Sequence, residues 1–241
     1  MIEQAYCGAE VVGRELWCQD EAGPDQTVPY PGENWPPEGQ PVRQAHEDIR
    51  HGTATLLTLF RPHTGEVRAT GGRNAPTTVL HPWLQAQLTQ ILATLPAVAL
   101  AEAERPVMAR WETWLGPVPR ETLPPLRLIL VGDNLAEHRS YSIGRWLFEH
   151  GVLPLTTPLS GSWLKMAESL PRIMVRRARA GQHPATPDDI ITWLEDPVAG
   201  GTTSPTPLVG DGKRHERRVR ARTRRLGGSA ATLAQHRLFT A

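Results

Sequence analysis

Three acidic residues stand where carboxylates could be gathered into one metal site. Asp20 ends a short apolar run beginning at Glu15, and Asp133 follows a second, Leu128 to Val131. Glu168 lies inside a helical pattern, with thirty-four residues between it and Asp133. Cutting or transferring a phosphodiester needs a water or hydroxyl made nucleophilic and a developing alkoxide neutralised, which two divalent ions about 3.5–4 Å apart do together. Hard ions such as Mg2+, with Mn2+ as a substitute, take oxygen ligands: a few carboxylates, waters and substrate phosphate. Three acids therefore suffice, provided the fold brings them to one edge of a sheet. A lone acid after a strand is otherwise a turn residue or a helix cap.

The pattern between the acids predicts elements that could do this. Glu15 to Asp20 reads as a first strand, followed by a Pro-, Gly- and Asn-rich connection to about Gln44 that periodicity cannot assign. Thr53 to Phe60 and Gly65 to Thr70 read as strands joined by a turn at Thr64-Gly65. Leu84, Leu88, Ile91 and Leu95 recur at helical spacing over His81 to Leu95. Residues 96–125 form an insertion with Pro-rich ends. Then come a strand (Leu126 to Val131), a helix (Ser140 to Glu149), a strand (Val152 to Thr156) and a helix (Trp163 to Ala180). A last helix spans Thr186 to Leu194, with Thr186 as cap, Pro187 in the first turn, and Asp188 and Asp189 at the positive end of the helix dipole. Three strands followed by alternating helices and strands give an α/β chain of ribonuclease-H-like order, a mixed five-stranded sheet flanked by helices. The domain organisation expected is a lead (1–14), a catalytic domain (15–198) and a basic tail (199–241).

At 241 residues and 39% hydrophobic content the chain can bury a full core. Cys7 and Cys18, without a CxxC motif, read as reduced thiols. No secretory leader and no run long enough to span a membrane is visible, so the expectation is a soluble, cytoplasmic protein. The net charge of +1 conceals an asymmetry: residues 205–241 carry 9 Lys/Arg against 2 Asp/Glu. Eight of these cations, among them Lys213, Arg214, Arg217 and Arg218, fall between Lys213 and Arg225. Arg172, Arg176, Arg177 and Arg179 crowd the end of the helix carrying Glu168. Such clusters neutralise DNA phosphates without reading sequence; the plainer reading of the tail is a solvated end. Trp17, Trp83, Trp146, Trp163 and Trp193 sit in apolar patterns and read as core.

The fragments CQDEAGP, NWPPEGQP, HGTATLLTLF, VGDNLAEH and PLSGSWLKMAES resemble the DDE transposases of the mariner superfamily, in its bacterial insertion-sequence 630 branch. The matched signature is an Asp at the first strand, a second in a D-N-x-x-x-H context, and, after thirty-four intervening residues, a Glu in P-x-S-x-S-W-L-x-x-x-E. The resemblance implies that Asp20, Asp133 and Glu168 are catalytic and bind two metal ions. It implies that Asn134 and His138 orient the second motif; a turn residue and a helix cap are the plainer readings. Glu21 matches an Asp-Glu pair of the family and is expected to point away from the metals.

The activity implied is metal-dependent DNA strand cleavage followed by strand transfer at insertion-sequence ends, by a dimer on DNA. The sequence departs from the family pattern at Gly132, Lys165 and Pro171, and only 14 residues precede the first strand, where relatives carry helix-turn-helix modules. A helix-turn-helix partner from a separate reading frame would supply that part. The competing reading is a truncated or decayed, inactive DNA-binding remnant; a third is a nuclease of the same fold acting on RNA–DNA hybrids.

Overall fold

The computed structural model describes residues 5–6, 15–28, 38–39, 51–96, 124–133, 140–157 and 169–203. The chain divides into two compact units, Met1–Pro207 and Leu208–Ala241, and every described residue lies in the first. The strands are β1 (Glu15–Gln26), β2 (Thr53–Arg61), β3 (Glu66–Gly72), β4 (Leu128–Gly132) and β5 (Val152–Thr156). The helices are α1 (Thr77–Thr94), α2 (Tyr141–Glu149), α3 (Ser169–Arg179) and α4 (Pro187–Thr203). The five strands form one sheet in the order β3-β2-β1-β4-β5. The β1–β2 and β2–β3 pairs are antiparallel, whereas β1–β4 and β4–β5 are parallel.

The central strands are apolar on both faces because helices cover both. On one face Ala22, Ala54 and Leu56 pack with Met174 of α3 and Ile190 and Leu194 of α4. On the other, Trp17 is in register with Leu130, and α1 contributes a buried stripe of Leu80, Leu84, Leu88, Ile91 and Leu92. Arg68 lies over the Trp17 ring at 5.7 Å and also reaches Gln90 of α1 at 3.1 Å. Each leucine so buried contributes about 1.5–3 kcal/mol.

The ends of the elements are fixed by identifiable contacts. Ser140 caps α2, its hydroxyl accepting from the Ile143 N–H at 3.5 Å. Helix α2 ends at Gly151, whose φ of +67° closes the turn, and a Cβ there would collide with the Pro125 carbonyl. Thr186 and Asp189 cap α4 reciprocally: the Asp189 N–H donates to Thr186 Oγ1 at 3.3 Å, and the Thr186 N–H to Asp189 Oδ2 at 2.8 Å. Over β3, Ile191 covers Gly71, and Glu195 accepts the Gly71 N–H at 2.7 Å.

Several boundaries differ from those expected. Strand β1 does not end at Asp20; it continues to Gln26 through an irregularity between Ala22 and Asp25 while still paired with β2. Helix α1 starts a turn before His81, after Pro76, and runs through Pro82. Helix α4 passes Leu194 and continues to Thr203. Of the tryptophans, Trp17 is buried, whereas Trp83, Trp146 and Trp193 are half-buried and Trp163 lies outside the described residues.

Candidate functional site

The site is built where β4 stops and β1 goes on. Parallel pairing runs from Glu15↔Leu128 to Cys18↔Val131. Two residues further along the same register stand Asp20, inside β1, and Asp133, the residue after β4. Because side chains alternate along a strand, in-register residues of parallel neighbours share a face. By that alternation Asp20 shares with Ala22 the face covered by α3 and α4, whereas Asp133, the residue after β4, lines the cavity on the side of α1 and α2; the two strands run about 4.8 Å apart.

Asp20 is held from two sides. Its backbone carbonyl accepts the hydroxyl of Thr58, a fully buried residue, at 2.8 Å. Its Oδ1 accepts the Glu21 N–H at 3.0 Å. Glu21 occupies the alternate position of β1, where its Oε1 accepts from the buried Gln19 carboxamide at 3.4 Å. That puts Glu21 on the face opposite Asp20, as expected from the alternation.

Glu168 itself lies outside the described residues, but α3 begins at the next one, Ser169. This helix packs through Met174, Val175 and Ala178 on the Ala22–Ala54–Leu56 cluster. The element that follows Glu168 thus covers the face of β1 to which Asp20 and Ala22 belong. Pro171 does not terminate it, since α3 continues to Arg179. Asn134, His138, Lys165, Lys213, Arg214, Arg217 and Arg218 lie outside the described residues. Among those that are described, no group of three His, Cys, Asp or Glu side chains forms a metal site. The two described acids, Asp20 and Asp133, offer hard carboxylate oxygens, the donor type that suits magnesium or manganese.

The arginines of α3 separate into two kinds. Arg176 and Arg177 are exposed, as a phosphate-binding role requires. Arg179 is 2% exposed and is not available to DNA, because its guanidinium is engaged inside the protein. Arg172 lies in α3, its side chain outside the described residues. The sequence carried a signal for Arg179: it falls four residues after Val175 and five after Met174, on the helix's apolar stripe.

On the opposite face of the sheet, a cavity of about 30 Å³ lies between the sheet and helices α1 and α2. Gln19, Leu84, Leu130, Gly132, Asp133 and Ile143 are among the residues that line it. Gly132 stands beside Gln19, whose Oε1 would be 3.6 Å from a Cβ added there.

The family model that matches the chain is that of the DDE superfamily endonucleases, over residues 15–191. Among solved structures, a pre-cleavage Mos1 transpososome is 14% identical with a TM-score of 0.55, covering 90% of this chain and 56% of that one. A Mos1 strand transfer complex is 13% identical with a TM-score of 0.55, covering 90% and 57%. A Mos1 mariner paired-end complex with Mn is 15% identical with a TM-score of 0.51, covering 82% and 52%. The chain thus spans little more than half the length of these transposase chains. These likenesses show the ribonuclease-H-like fold expected from the element order. No curated protein matches the chain.

Proposed function

Because the chain belongs to the DDE superfamily endonucleases, we propose that it is the catalytic domain of a transposase, cutting DNA strands at insertion-sequence ends and joining them to target DNA. The observation that supports this reading is the parallel pairing of β1 with β4, which sets the strand containing Asp20 beside the strand that Asp133 follows. Asp20, Asp133 and Glu168 would hold the divalent ions, two Mg2+ or Mn2+. When bound, these supply charge neutralisation on the scissile phosphate and its leaving oxygen.

The protein's own groups prepare that site. The Glu21 N–H fixes one oxygen of Asp20, and the Thr58 hydroxyl fixes its backbone, so the carboxylate is oriented before any substrate arrives. Asn134 and His138 orient the second acid. Arg172, Arg176 and Arg177 on α3, with Lys213, Arg214, Arg217 and Arg218 in the basic tail, neutralise DNA phosphates. Water is the nucleophile of the cleavage step and the freed 3′-hydroxyl that of the joining step, so no covalent protein intermediate forms. Residues 15–198 are the catalytic domain, working as a dimer on DNA in the bacterial cytoplasm, with a helix-turn-helix partner recognising the ends. Among the described residues, no helix is long and apolar enough to cross a membrane.

Nicking of supercoiled plasmid at low salt, with Mg2+ or Mn2+, tests the reading. Wild-type protein is expected to nick and Asp133→Ala to lose nicking while retaining DNA binding. Equal nicking by both proteins would remove the chemistry from this triad.

A further inference from the structure

Resting on the metal-site reading above, we propose that Arg179 is a positioning residue for that site. It ties α3, and with it Glu168, to the strand that carries Asp20. Arg179 Nη1 donates to Asp25 Oδ1 at 3.0 Å, and Nη2 donates to the Gln26 carbonyl at 2.8 Å and the Val28 carbonyl at 3.0 Å. All three acceptors lie at the end of β1 or just beyond it, five to eight residues after Asp20. The guanidinium is 2% exposed, so α3 has turned one of its cations inward.

The placement matters because of what the rest of α3 can and cannot do. Its apolar contacts, through Met174, Val175 and Ala178, hold it against the sheet. Apolar burial is non-directional and tolerates sliding along the sheet. A planar guanidinium with three fixed acceptors does not. The helix from Ser169 to Arg179 is about 16 Å long at 1.5 Å per residue. Arg179 is its last residue, and Glu168 immediately precedes its first. Fixing the far end of this rod to β1 sets its axial position, so one strand carries both Asp20 and the anchor for the helix that follows Glu168. A buried ion pair is weak evidence for stability, and its best-attested use is to fix a register.

Isothermal titration of Mn2+ into the full chain without DNA tests this, using wild type, E168Q, R179M, R179K and R179M/E168Q. Circular dichroism establishes that each variant is folded. R179M is expected to weaken Mn2+ binding by about 10-fold, as loss of an outer-shell partner does. In that background E168Q is expected to add less than about twofold, because the two changes act through the same ligand. R179K keeps a charge opposite Asp25 but cannot hold both carbonyls, so its loss is intermediate; it carries the test if R179M does not fold. Folded Arg179 variants that bind Mn2+ within about twofold of wild type, while E168Q alone weakens it, would overturn the positioning role and leave the metal site standing. Should E168Q and D133N both leave Mn2+ binding unchanged, the metal-site reading fails, and the role of Arg179 falls with it.

Discussion

Replacing Asp133 by asparagine should make the metal-free protein more stable and the metal-loaded protein less so. Asp20 and Asp133 lie two residues past Cys18 and Val131, the last pair of the parallel β1–β4 ladder, whose strands run about 4.8 Å apart. Two unit charges at that separation repel by about 0.9 kcal/mol in water and about 3.5 kcal/mol at an effective dielectric constant of 20. Both residues are half-buried, so the lower figure is nearer, and like charges directly opposed in sheets cost up to about 1 kcal/mol. The Asp133→Asn change would remove this repulsion at nearly constant shape. For a chain of this size about 1 kcal/mol corresponds to roughly 2–4 °C in Tm. Mn2+ at 100 times its Kd stabilises wild type by about 2.7 kcal/mol, an increment that D133N should largely lose. Thermal unfolding followed by circular dichroism in EDTA and then in Mn2+ should show the order of the two proteins reverse. A D133N that melts below wild type in EDTA, or an equal Mn2+ shift in both, would refute the paired-carboxylate argument.

Gly132→Ala should raise stability by about 0.4–1 kcal/mol by restricting the unfolded chain, since a Cβ at 132 meets Gln19 Oε1 only at van der Waals distance. Gly151→Ala in the same melting assay should lower stability by more than that, because of its positive φ and the Pro125 carbonyl. Removing both Arg176 and Arg177 should weaken DNA binding and flatten the log–log salt dependence by about 0.9 for each phosphate no longer neutralised; an unchanged slope would show that neither touches the backbone. The Thr186 N–H holds the Asp189 carboxyl below its ordinary range. A depressed folded pKa contributes stability that is full above the unfolded value, about 3.9, and is lost as pH falls through the folded one. Urea unfolding should therefore show wild type exceeding D189N by a constant margin above about pH 5, shrinking only as the pH falls below about 4.

The order of elements was legible because periodicity is a property of the chain alone: the leucines of α1 and the apolar runs of β4 and β5 announce themselves. The length of β1 was not. Ala22-Gly23-Pro24-Asp25 has turn composition, yet pairing of Asp25 with Ala54 and Gln26 with Thr53 carries the strand across it. The leucine spacing marked α1 only from His81, whereas Pro76 precedes its first turn and the helix absorbs Pro82. Gly200 and Gly201, poor helix formers, lie within α4. At the site, spacing and motif pointed to Asp20 and Asp133, and the parallel pairing of β1 with β4 sets the strands that lead to them side by side. Composition alone could not divide the arginines of α3: four similar cations acquire different roles only when the helix is seated and one is turned inward.

Among the described residues both margins of the sheet are closed to further strands. At β3, the Gly71 N–H is occupied by Glu195, and Ile191 of the same helix lies against the strand. At the other margin Pro154, in the middle of β5, has no N–H to offer an incoming strand. An open sheet with exposed rims invites edge-to-edge aggregation, and this one is guarded by a helix at one rim and by an imino acid at the other. Strand addition at either rim is therefore disfavoured by the fold itself, and uncontrolled sheet growth with it.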